Sequence, residues 1–187
     1  MPVISVTLLP GYPADVETRL VGRLATAARS VIAASPAGTT VFVNHANTYQ
    51  RDGNVFSSGG PARPVASDVV KGFLEAMQQR DLNTAQSFLA AGFAMRFPGS
   101  AVMHSLAEMI NWARPRYRSV AKDYERFEEV WRENDTVVFC SGTLHGTWND
   151  GRDFSGIRFI DRFEVVDGKI TRQDVWNDVA ETLAAQA

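Results

Sequence analysis

The chain has 187 residues, 45% of them hydrophobic and 21% charged, with 19 Lys+Arg against 21 Asp+Glu. These ordinary globular proportions exclude a disordered or fibrous protein, and the near-balanced charge, kept on both sides of residue 60, excludes a strongly basic nucleic-acid binder. No apolar run reaches the roughly 18 residues of a membrane span, no basic-then-apolar leader opens the sequence, and the single cysteine, Cys140, forms no internal disulfide, so a cytoplasmic protein without membrane contact is expected.

Val3–Leu9 is β-branched and apolar, which predicts a strand broken by Pro10, Gly11 and Pro13. Ala14–Ala34 then carries Val16, Leu20, Leu24, Val31 and Ile32 near helical spacing, and Thr39–Ala46 reads as a second strand. The order β-α-β favours a parallel pair with a right-handed crossover. A unit of this size with one helix buries little core alone, so a homo-oligomer, a dimer or a hexamer, is expected. Gly59, Gly60, Pro61 and Pro64 forbid regular structure over 59–67, which reads as a linker between a domain at 1–58 and another at 68–187.

The second domain reads as helices first and strands after. Ser67 is a plausible N-cap for a helix to Gln79, and Asp81–Leu89 forms a shorter one. Ser105 and Glu108 make a capping box for a third helix toward Tyr117, which Pro115 must kink or end. Strands follow over Tyr124–Glu133, Thr136–Trp148, Phe154–Val166 and Lys169–Asn177, joined by Asn134-Asp135, Asn149-Asp150-Gly151 and Asp167-Gly168. The fold class is therefore α+β, with a curved antiparallel sheet folded over helices around a pocket.

Removal of Met1 would leave Pro2 as a secondary amine. Burial would lower its pKa toward neutrality and make it a proton shuttle. Pro2 before a strand, a Gly-containing turn, one helix, a parallel strand and Phe56-Ser57-Ser58-Gly59-Gly60 resembles the 4-oxalocrotonate tautomerase family. The resemblance covers Pro2–Gly60. It implies that Pro2 is the general acid/base and Phe56 the apolar wall that depresses its pKa. The family's two substrate-binding arginines fall at Tyr12 and near Val41 here, so Tyr12, Asn44, His45 and Arg51 are the candidates to replace them.

Residues 68–187 resemble the SnoaL-like polyketide cyclases of the nuclear transport factor 2-like superfamily. The carriers are Val69–Met77 leading into Arg80-Asp81, then Phe97-Pro98-Gly99, and Asp161-Arg162-Phe163-Glu164-Val165-Val166-Asp167-Gly168-Lys169-Ile170. The resemblance implies a cone of three helices in a bent antiparallel sheet, with a ligand pocket inside. Alternation places Asp161 on one strand face with Ile157, Phe159, Phe163 and Val165. A carboxylate among phenylalanines has a raised pKa unless paired, which suits a general acid/base. The bland alternative is a pair with Arg158 or Arg162. His145, with Phe139, Ser141 and Thr143, is the best-placed imidazole, and Asp174 with Trp176 is expected to complete the lining.

The segment from Arg114 to Lys122 is locally basic and, with Asp123, Glu125, Glu128 and Glu129 after it, reads as a solvated face. Three scattered histidines and one cysteine have no metal-ligand spacing, and neither metal nor cofactor is implied. Two functions remain. One is a cofactor-independent proton-transfer enzyme acting on a small carbonyl compound, a tautomerase-like unit joined to a cyclase- or isomerase-like pocket. The other is a non-catalytic ligand-binding module in which the first unit serves oligomerisation.

Overall fold

The computed structural model describes residues 1–185. The chain divides into two compact units at Ala62 and Arg63.

In the first unit, strand β1 (Val3–Leu8), helix α1 (Ala14–Val31) and strand β2 (Thr40–His45) follow in the expected order. The strands are parallel, with Val3 opposite Thr40 and Leu8 opposite His45. Asp15 and Glu17 in the first turn of α1 and Arg29 in its last complement the helix dipole. The helix ends at Val31, because Ile32 already has extended dihedrals and only its N–H still bonds back, to Ala28. A hairpin absent from the sequence reading follows, β3 (Tyr49–Arg51) with β4 (Asn54–Phe56). Its turn residues Asp52 and Gly53 have φ of 50° and 79°, the positive pair that a tight hairpin turn needs. No residue of this unit is buried.

The second unit holds the core. Helix α2 (Ala66–Gln78) buries Val70, Phe73, Leu74 and Ala76 at helical spacing. Val65, not Ser67, precedes its first turn, and the Ser67 N–H instead donates to Glu129 Oε1 at 2.8 Å. Helix α3 (Leu82–Ser87) is capped by Asp81, whose carboxylate takes the Thr84 N–H and hydroxyl. Strand β5 (Leu89–Arg96) leads to helix α4 (Leu106–Ala113), where Ser105 accepts from the Glu108 N–H and Glu108 accepts from the His104 N–H. The helix stops at Ala113, before Pro115.

Four long strands complete the unit: β6 (Tyr117–Trp131), β7 (Thr136–Trp148), β8 (Asp153–Val166) and β9 (Lys169–Asn177), before a last helix α5 (Val179–Ala185). The sheet order is β5-β9-β8-β7-β6. Neighbours are antiparallel except β5, which pairs parallel with β9 and adds an edge to the expected meander. Strand β6 starts seven residues earlier than the sequence reading places it, and it takes in most of the basic segment.

Period-two alternation gives the sheet a buried inner face. Ile157, Phe159, Asp161, Phe163 and Val165 of β8 are all at most 5% exposed. Phe73 of α2 meets Phe163 edge-on with centroids 6.1 Å apart, which fixes helix to sheet. Full burial of one such ring contributes about 1.5–3 kcal/mol. No helix among the described residues is long and apolar enough to cross a membrane.

Candidate active site

A cavity of about 460 Å³ opens in the second unit between the helices and the inner face of the sheet. Leu74, Met77, Leu106, Met109 and Ile110 give it an apolar wall. Lys122, Tyr124 and Gln173 bring polar groups to it from β6 and β9. Behind them lies Asp161, a fully buried carboxylate on β8.

The Lys122 ammonium donates to Asp161 Oδ2, and Gln173 Nε2 donates to the same oxygen at 3.2 Å. Asp161 Oδ1 is buried with no hydrogen-bond partner among the described residues. The Lys122 Nζ also sits over the Phe159 ring, 4.3 Å from its centroid, a cation–π contact. Lys122 keeps a side-chain exposure of 19% while Asp161 has none, so the amine is the member of the pair that the cavity reaches. A charge this deep is tolerable only when paired, and the pair is net neutral.

Tyr124 stands two residues from Lys122 on the same strand face. Its phenol pKa is pushed well above the ordinary value, first by burial and then by the Asp161 charge, so the O–H keeps its proton and can donate. Cys140, opposite Asp161 in the neighbouring strand, is pushed up to about 12, again mainly by burial, and stays a thiol.

The family model described as a SnoaL-like domain matches residues 70–173, more than half of the chain. The chain belongs to the SnoaL-like domain family. Solved structures agree at the level of the fold. An NTF2-like protein of unknown function from Burkholderia pseudomallei is 19% identical, with a TM-score of 0.53 over 64% of this chain and 95% of that one. A proposed polyketide cyclase from Xanthomonas campestris is 18% identical, with a TM-score of 0.53 over 65% and 96%. An LEH-like epoxide hydrolase from M. tuberculosis is 20% identical, with a TM-score of 0.51 over 64% and 82%. No curated protein sequence matches the chain.

Within the SnoaL-like domain, Asp161 takes the inner-face position that alternation predicts, but its cationic partner is Lys122 and neither Arg158 nor Arg162. The other expected lining residues point away. The register sets Asp161 opposite Val175, so Gln173 and Val175 share its face while Asp174 and Trp176 occupy the outer one. There Asp174 accepts from Arg172 Nε at 2.7 Å and Arg162 Nη1 at 3.4 Å, and Trp176 is 54% exposed. His145 alternates outward from Leu144 and lies 2.9 Å from Asp123 Oδ2. The lining is thus corrected from His145, Asp174 and Trp176 to Lys122, Tyr124 and Gln173.

In the first unit, the Pro2 carbonyl accepts the Thr40 N–H at 3.1 Å, tying the chain start to β2. The Tyr12 ring covers Gly59 so closely that a Cβ there would come within 2.3 Å of it. Tyr12 also lines a smaller cavity of about 260 Å³ with Leu8, Val16 and Glu17. His45 Nε2 is held 2.7 Å from Glu17 Oε1, and Asn44 Nδ2 donates to Ser5 Oγ at 2.9 Å. Arg51 is exposed beside Asp52, and Phe56 stacks on Tyr49 with centroids 5.3 Å apart.

Proposed function

We propose that the chain is a cofactor-independent enzyme of the isomerase or cyclase type that moves a proton beside the carbonyl of a small compound held in the SnoaL-like cavity. The observation that carries this reading is the Lys122–Asp161 pair, buried with the amine toward the cavity. A neutral pair can place one proton on either member. With that proton on Asp161, the Lys122 amine removes a proton from the carbon next to the carbonyl, and the C–H electron pair moves into an enolate. The Tyr124 O–H donates to the enolate oxygen, which stabilises the developing charge. The Lys122 ammonium then returns the proton to another carbon, or the enolate carbon attacks a second carbonyl to close a ring and the ammonium protonates the alkoxide so formed. Asp161 acts as the counter-charge and proton store rather than as the group that meets carbon.

The test is deuterium exchange from heavy water into the α-positions of a panel of two-ring ketones, followed by proton NMR. Acceleration by wild type that Lys122→Met abolishes supports the reading. Exchange unaltered by Lys122→Met overturns it.

The first unit supports a second site in the same reading. With Met1 removed, Pro2 heads a parallel β-α-β as a free secondary amine and serves as the base of a tautomerase. Ketonisation of phenylenolpyruvate by wild type and not by Pro2→Ala tests this, together with the mass of the mature N-terminus. The lack of any buried residue in this unit supports assembly as a homo-oligomer, a dimer or hexamer, which light scattering measures directly.

A further inference from the structure

The fully charged side chains that line the SnoaL-like cavity are all cationic: Arg80, Arg114, Arg118 and Lys122, and among the described residues no aspartate or glutamate lines it. Lys122 is answered by Asp161 underneath. The three arginines are exposed and so stand at the mouth. They come from three places in the fold, the end of α2, the end of α4 and the start of β6. Arg118 has an acid in the vicinity, Asp150, but that carboxylate already accepts from Arg152 Nε at 2.8 Å. Arg80 holds a left-handed backbone, with φ of 61°, just past the end of α2. Glycine takes that conformation without strain, so what an arginine adds there is its guanidinium.

We propose that the substrate of this cavity is an anion: a largely apolar carbonyl compound that bears a carboxylate, bound with the carboxylate among Arg80, Arg114 and Arg118 and the carbonyl toward Lys122. This rests on the proton-transfer reading of the same cavity. The apolar wall selects the body of the molecule, and guanidinium forks match a carboxylate's two oxygens better than an ammonium does. A mouth of one sign beside low-dielectric walls also concentrates anions before they enter.

The experiment titrates the full chain with 2-naphthoate and its neutral counterpart 2-naphthamide by calorimetry, at low and high salt. Naphthoate is expected to bind about tenfold more tightly at low salt, a preference that shrinks as salt screens the rim. The double variant Arg114→Gln/Arg118→Gln should lose that preference while binding naphthamide as wild type does. Arg80→Gly should reduce it in part without lowering the melting temperature, and it carries the test alone if the double variant does not fold. Equal affinity for the two probes, or a preference that survives both variants, overturns the anionic substrate and leaves the proton-transfer reading to its exchange assay. Failure of both probes to bind overturns the cavity as a ligand site and removes both readings together.

Discussion

Lys122 of β6 reaches Asp161 of β8 across an intervening strand, over the inner face of β7. The reach is possible because of the residue between them. Gly142 lies opposite Tyr124 on one side and Phe159 on the other. With no side chain there, the β6 backbone at Asp123–Glu125 closes over it, and the Tyr124 and Phe159 rings meet edge-on, 5.8 Å apart at 88°. Phe159 in turn lies beneath the Lys122 ammonium. The glycine therefore lets β6 close in over β7, which brings Lys122 toward Asp161.

Removing one member of that pair should cost more than removing both. Lys122→Met strands a carboxylate that is fully buried, a loss of about 3–5 kcal/mol from comparable buried pairs. Adding Asp161→Asn to Lys122→Met should restore most of the stability and none of the exchange activity. Chemical denaturation of the two single variants and the double one checks this, and a double variant no more stable than Lys122→Met would rule out the coupling.

Gly142→Ala should be severely destabilising, although it adds one methyl group. A Cβ there would lie 1.9 Å from the backbone carbonyl oxygen of Asp123, where no flexible side chain can give way. Strand β6 has a register shift between Tyr124 and Arg126 at this point, which brings its backbone over the glycine. A loss of about 2 kcal/mol or more is expected, in the range of overpacked cores. A melting temperature equal to wild type would show that β6 can move away.

Asp161 was legible in the sequence because β8 alternates without a break from Ile157 to Val166, so one buried carboxylate among phenylalanines stands out. Lys122 was not. It closes a run of basic residues that composition reads as solvated, and the register shifts at Arg118 and Glu125 break the alternation that would reveal its face. The outer placement of Asp174 and Trp176 turns on the β8–β9 register, a pairing that a single strand's pattern does not contain. The β3–β4 hairpin did leave a signal, Asp52-Gly53, but its strands of three residues are too short for periodicity to show. Strand β5 pairs with β9, far along the chain, and Gly92 and three alanines blur its pattern.

Stability should fall on the alkaline side. Burial raises the Cys140 thiol from 9.0 to about 12 and raises Tyr124 as well. The unfolded chain gives up the thiol proton near 9.0, while the folded one keeps it to about 12. The folded state therefore binds more protons in that window, and stability, complete below 9, is lost as pH rises through it. Melting temperatures measured from neutral pH upward should decline across this range. The decline should be shallower in Cys140→Ala/Tyr124→Phe, each compared with its own neutral value. An unchanged slope would locate the alkaline transition elsewhere.

The outer face offers the complementary experiment, since Asp174 is a buried carboxylate whose partners lie away from the cavity. Its side chain is 12% exposed and accepts from Arg172 and from Arg162, whose own side chain is 17% exposed. Asp174→Ala removes the shared anion and leaves Arg162 near Arg172 with Glu164 as its remaining partner, at 2.5 Å. A destabilisation of about 1–3 kcal/mol is expected, between the values for exposed and fully buried pairs. Naphthoate affinity and ketone exchange should stay as in wild type once the protein is held well below its melting temperature. His145→Ala, which removes only a half-exposed contact with Asp123, should change neither stability nor binding measurably. A loss of exchange activity in either variant that still binds naphthoate normally would mean that the outer face of the sheet takes part in the chemistry, and the assignment to Lys122 and Tyr124 would fall.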